Sequence, residues 1–65
     1  MYKLCIDLKQ WKDCPDSTEE DVLYVARTLS KFSRCRVDVY KFDHKQWLKV
    51  MSYVRGQVFR KENVA

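Results

Sequence analysis

The chain has 65 residues, 46% of them apolar, with 13 Lys+Arg against 9 Asp+Glu for a formal charge of +4. That length excludes a doubly wound sheet, a barrel or a two-domain enzyme cleft and leaves a single domain over residues 1–65. A single Gly and a single Pro exclude a glycine-rich phosphate loop, and 14% aromatics exclude a disordered basic tail.

Residues 2–8 alternate in character. Tyr2, Leu4, Ile6 and Leu8 fall on one side and Lys3, Cys5 and Asp7 on the other, the pattern of a strand with one buried face. Lys9 to Asp16 loses the alternation, which places Trp11 in a loop and Cys14-Pro15-Asp16 in a turn before a helix. Ser17 with Glu20 matches a capping box, and the spacing predicts a helix from Thr18 to Phe32 with Val22, Val25, Ala26, Leu29 and Phe32 as its core stripe. Arg36 to Phe42 alternates again, with Cys35, Val37 and Val39 on one side and Arg36, Asp38, Tyr40 and Phe42 on the other. Asp43 with Gln46 repeats the cap pattern and predicts a second helix from His44 to Arg55. Its apolar side holds Trp47, Leu48, Val50, Met51 and Val54, and Gly56 is its left-handed C-cap. Residues 57–65 read as a short edge strand or a frayed tail.

The expected fold class is therefore α+β, a small two-layer β-α-β-α(-β) domain with two helices packed on one face of a small sheet. The segment between the two strands is long enough for a parallel crossover. With both helices on one side, the opposite sheet face stays open. No run approaches the about 20 apolar residues of a membrane span, and Asp7 interrupts the place where a secretory signal needs an apolar core. Cys5, Cys14 and Cys35 lack paired spacing and read as reduced thiols in a cytoplasmic protein.

Charge is polarised along the chain. Residues 1–26 carry three lysines against six acids, and residues 27–61 carry ten basic side chains against Asp38 and Asp43 alone. Helix electrostatics account for the acids at the start of the first helix and for Arg27, Lys31 and Arg34 toward its end. They do not account for Arg36, Lys41, Lys45, Lys49, Arg55, Arg60 and Lys61, which form either a solvated surface or a patch for phosphate or an acidic protein. Tyr40 and Phe42, two residues apart and flanked by cations, are a pair on which single-stranded bases can stack.

Catalysis has little support. His44 is the only histidine and the cysteines show neither a CxxC nor a Cys/His pair, so no metal, cofactor or catalytic set is expected and the chain does not read as an enzyme. Asp7 and Asp38 remain as two carboxylates that could converge on the open face. The opening Met1-Tyr2-Lys3-Leu4-Cys5-Ile6-Asp7-Leu8, followed by a helix and Leu29-Ser30-Lys31-Phe32, resembles the VapD-like and related CRISPR-associated small ribonucleases. That resemblance implies a dimeric ferredoxin-like β-α-β-β-α-β domain in which an Asp ending the first strand, here Asp7, serves a metal or catalytic site.

Three functions follow as expectations. The leading one is a small non-catalytic regulator, of the kind encoded by phages and mobile elements, that docks on a protein partner within nucleic-acid machinery through Trp11, Arg34, Arg36, Tyr40, Lys41 and Phe42. The second is direct binding of RNA or DNA through Lys3, Arg36, Tyr40, Phe42, Lys45 and Lys49. The third is a metal-dependent ribonuclease using Asp7 and Asp38. A chain this short builds a marginal core, which favours a homodimer or a partner-bound state and gives no reason to expect a membrane partner.

Overall fold

Five strands and one helix make up a computed structural model of the chain, which describes residues 1–61: β1 (Tyr2–Ile6), β2 (Gln10–Cys14), α1 (Glu19–Ser33), β3 (Arg36–Asp43), β4 (Gln46–Val54) and β5 (Gln57–Lys61). Residues 62–65, the end of the segment read as edge strand or tail, lie outside the described residues. The strands form one sheet in the order β2-β1-β3-β4-β5, and every neighbouring pair is antiparallel.

This architecture corrects the expected two-helix β-α-β-α(-β) domain. Residues 46–54, expected as a second helix, are the longest strand, and Trp11, expected in a loop, lies on β2. Because β2 returns the chain before α1 begins, β1 and β3 meet antiparallel rather than through a parallel crossover. The order also departs from the ferredoxin-like arrangement, since α1 is the only helix among the described residues.

A β-bulge explains why β4 reads as a helix. Val39 pairs with Met51 but Tyr40 pairs with Lys49, so Val50 is an extra residue in the ladder. As a result Leu48 and Met51 share a face although they are three residues apart, a helical spacing produced by an interrupted period of two. The turns hide the hairpins as well. His44 and Lys45 both take positive φ, 51° and 63°, and Arg55 and Gly56 follow at 52° and 80°. Tight hairpins need that geometry and usually obtain it from Asn and Gly, so Asp43 to Gln46 looks like a helix cap when it is a reversal. Gly56 closes a hairpin and caps no helix.

Helix α1 is capped by Thr18, whose hydroxyl accepts from the Asp21 N–H at 3.2 Å, one residue after the expected Ser17. Arg34 ends it in the left-handed conformation, φ 51°. Val22, Ala26 and Ser30 form its buried line, whereas Phe32, expected in the core, is 77% exposed. The core joins Val22 and Ala26 to Tyr2, Leu4, Val37, Val39, Met51 and Tyr53 of the sheet. Full burial of Leu4, Val22, Val37 and Val39 contributes about 1.5–3 kcal/mol for each side chain. All of this lies on one sheet face, and among the described residues the other carries no helix. Among the described residues no helix is long and apolar enough to cross a membrane.

Candidate functional site

The uncovered face is assembled by the antiparallel register. Lys3 stands opposite Asp13 on β2 and Tyr40 on β3, Cys5 opposite Trp11 and Asp38, Phe42 opposite Trp47, and Asp38 opposite Ser52. Residues directly opposite each other project to the same side, so Lys3, Cys5, Trp11, Asp13, Arg36, Asp38, Tyr40, Phe42, Trp47, Lys49 and Ser52 share this face, with Asp13 exposed at its β2 edge.

Its aromatic rings form two pairs. Trp11 and Tyr40 meet across β1 with centroids 5.3 Å apart and planes inclined by 53°. Phe42 and Trp47 meet at 5.1 Å and 59°. Lys3 joins the pairs, with its Nζ 4.4 Å from the Trp11 ring centre and 4.2 Å from that of Trp47. The ring quadrupoles attract the ammonium and hold it at the surface. Lys49 Nζ lies 5.8 Å over Tyr40, and the Arg36 guanidinium 5.3 Å over Phe59. Trp11 remains 54% exposed on its edge strand.

Under the rings is a buried carboxylate. Asp38 is fully buried; its Oδ1 accepts from Ser52 Oγ, accepts from Arg36 Nε at 3.0 Å and lies 4.0 Å from Lys49 Nζ. Among the described residues its Oδ2 has no hydrogen-bond partner. A buried carboxylate is tolerated only with compensating charge, so Asp38 fixes both Arg36 and Lys49 beside the aromatic platform. The Cys5 thiol opposite it is pushed above its ordinary range, first by burial and then by the Asp38 carboxylate. Cys5 is accordingly a protonated packing group at neutral pH.

Sequence expectation and structure agree on part of this set. Trp11, Arg36, Tyr40 and Phe42 of the expected docking residues come together here, as do Lys3 and Lys49 of the expected nucleic-acid residues. Arg34 instead follows the end of α1, and Lys41 points to the helix side, opposite Tyr2 and Leu48. Lys45 occupies the β3–β4 turn beside His44, whose Nδ1 is 3.2 Å from an Asp43 oxygen. Trp47 and Phe59 were missed: Trp47 because its strand resembles a helix, Phe59 because a second bulge, between Ser52 and Tyr53, makes it an extra residue in β5. Asp7 sits exposed in the β1–β2 turn at φ 56°, while Asp38 is buried with Ser52 and Arg36. The two carboxylates therefore occupy different surroundings, and among the described residues no three His, Cys, Asp or Glu side chains gather as a metal site.

No protein-family model, curated protein or solved structure matches this chain.

Proposed function

We propose that the protein binds single-stranded RNA or DNA on its uncovered sheet face. The observation that carries this reading is the joining of two aromatic pairs, Trp11–Tyr40 and Phe42–Trp47, by the Lys3 ammonium on a face that also presents Arg36 and Lys49. Tyr40 and Phe42 lie about 6.7 Å apart along β3, which lets two neighbouring nucleotides of an extended strand each meet one pair. Stacking needs only the flat face of a base and is tolerant of sequence, while cations at the rim meet phosphate. The same rings could anchor a protein, but a protein hot spot is a desolvated apolar pocket. Here Lys3 covers one face of each tryptophan ring and Arg36 and Lys49 flank the set, and this positive surround favours a polyanion. Reduced Cys5, Cys14 and Cys35 suit a cytoplasmic setting for this activity.

The test is fluorescence anisotropy of a labelled single-stranded decamer, with a duplex as control. Contact of three cations with phosphate gives a logarithmic salt slope near about −2, so affinity falls about twentyfold between 50 and 200 mM salt. Trp11→Ala and Trp47→Ala each remove about 1–3 kcal/mol, or roughly five- to 150-fold. Absence of binding at 50 mM salt, or a flat salt response, refutes the proposal and returns the rings to a protein partner.

A further inference from the structure

The opposite side of the molecule carries a second exposed surface. Glu20, Tyr24, Arg27 and Lys31 recur at i, i+4, i+7 and i+11 and so form one stripe along α1. They face away from the buried line of Val22, Ala26 and Ser30. Tyr24 is 72% exposed, an unusual position for a large ring on a surface helix. Charge on the helix is split: Glu19, Glu20 and Asp21 fill the first turn, whereas Arg27 and Lys31 mark the second half. Arg27 and Lys31 are like charges four residues apart, which repel each other along an isolated helix.

Beside this basic half is a groove of about 540 Å³ between α1 and the β4–β5 turn, lined by Tyr24, Arg27, Lys31, Phe32 and Arg55 among others and, among the described residues, by no carboxylate. Its walls are fixed. Arg27 Nε donates to the Gly56 carbonyl at 3.2 Å, the Gly56 N–H donates to Ser30 Oγ at 2.9 Å, and Ser30 Oγ donates to the Arg27 carbonyl at 2.8 Å. The Arg27 guanidinium is thereby tied to the turn while its residue stays exposed.

We infer that this stripe is a dimer interface, in which α1 of one copy packs antiparallel on α1 of a second copy about a twofold axis. Charge complementarity within the stripe identifies the occupant. With the axis at the level of Val25 and Ala26, Glu20 of one copy faces Lys31 of the other and Tyr24 faces Arg27. An isologous contact repeats each of these twice. The acidic first turn of one copy enters the basic groove of the other and relieves the repulsion between Arg27 and Lys31. A parallel pairing would instead set Glu20 against Glu20. A helix about 22 Å long buries less than a standard interface, so the dimer is weak. Since α1 covers one sheet face, the dimer leaves the two aromatic faces pointing outward, a bivalent arrangement.

The test is sedimentation equilibrium of the full chain from about 10 μM to 1 mM without nucleic acid, which keeps it independent of the proposed binding activity. Wild-type protein is expected to show a reversible monomer–dimer equilibrium that weakens with salt. Glu20→Lys and Lys31→Glu, each with an unchanged circular dichroism spectrum, should weaken it about tenfold or more, because each reversal turns two attractions into two repulsions. Mixing the two variants recreates both ion pairs and should restore dimer as a heterodimer; the double variant should restore the homodimer. A monomeric wild type at 1 mM overturns the inference and leaves the groove to a foreign acidic segment. So do single variants that dimerise as wild type does, or a mixture that stays monomeric.

Discussion

Replacing Asp38 with Asn should move stability and nucleic-acid affinity in opposite directions. In the folded protein the Oδ1 of this fully buried residue accepts from Ser52 and Arg36 and lies 4.0 Å from Lys49. The amide keeps the Ser52 bond but loses charge assistance from Arg36, and its NH2 takes the place of an Oδ2 that has no partner among the described residues. A buried ion pair broken on one side costs about 3–5 kcal/mol when the remaining charge stays buried. The Arg36 and Lys49 side chains, however, are 31% and 29% exposed and can rehydrate. The expected loss is therefore about 1–2 kcal/mol, which lowers the melting temperature of a domain this size by about 5–15 °C. Affinity should rise at the same time. For a phosphate taken to bind about 8 Å away, deleting the negative charge removes between about 0.5 and 2 kcal/mol of repulsion, for effective dielectric constants of about 80 and 20. That corresponds to roughly two- to thirtyfold tighter binding at 50 mM salt. Thermal unfolding and oligonucleotide anisotropy on the same sample check both signs. A variant that keeps its melting temperature, or one that folds but binds more weakly, refutes the assignment of Asp38 as the buried counter-ion of the platform.

Three further outcomes follow from the geometry. Gly56 has φ +80° and an added Cβ would sit 2.9 Å from Lys31 Cβ, so Gly56→Ala should destabilise by about 2 kcal/mol in urea titration; an unchanged midpoint would mean that the turn is not pressed onto α1. Burial, the largest cause in each case, holds Cys5, Tyr2 and Tyr53 protonated above their ordinary ranges, so the stability they contribute is whole below about pH 8.5 and is lost as pH rises through the raised folded values. Melting temperature should fall across that window, later for Cys5→Ala, and a flat profile from about pH 8 to 10.5 removes the argument. Replacing His44-Lys45, at φ 51° and 63°, by Asn-Gly should raise the urea midpoint by the equivalent of about 0.5–1.5 kcal/mol, and a lower midpoint would contradict the hairpin.

How much of this was legible in the sequence depended on whether one face of each element was polar. In β1 and β3, Leu4, Val37 and Val39 alternate with Lys3, Arg36 and Asp38, and the period of two is visible. In α1, Val22 and Ala26 alternate with acids and lysine at the helical period. Strand β4 offers little contrast between its faces, because Trp47 joins Lys49 and Ser52 on the open side and packs there on Phe42 and Lys3, while Leu48 turns toward the helix side. Its bulge at Val50 then converts the remaining pattern to a helical spacing. Strand β2 fails for the opposite reason: Gln10, Trp11, Lys12 and Asp13 are all exposed, so an edge strand held by backbone pairing to β1 leaves no hydrophobic signature.

The candidate site inherits these two losses in unequal degree. Tyr40, Phe42, Arg36 and Lys3 were readable because β1 and β3 were, and they form half of the platform. Trp47 comes from the strand read as a helix and Trp11 from the strand read as a loop, yet it is these two rings that clasp Lys3 and set the width of the face. Asp38 was read as an open-face carboxylate; only the register that brings Ser52 and Lys49 across from β4 explains why it can be buried. The same dependence makes function a sensitive probe of the fold. If β4 were a helix, Trp47 could not share a face with both Phe42 and Lys3. Quenching of Trp47 emission by a bound oligonucleotide therefore reports on the sheet pairing as well as on the ligand.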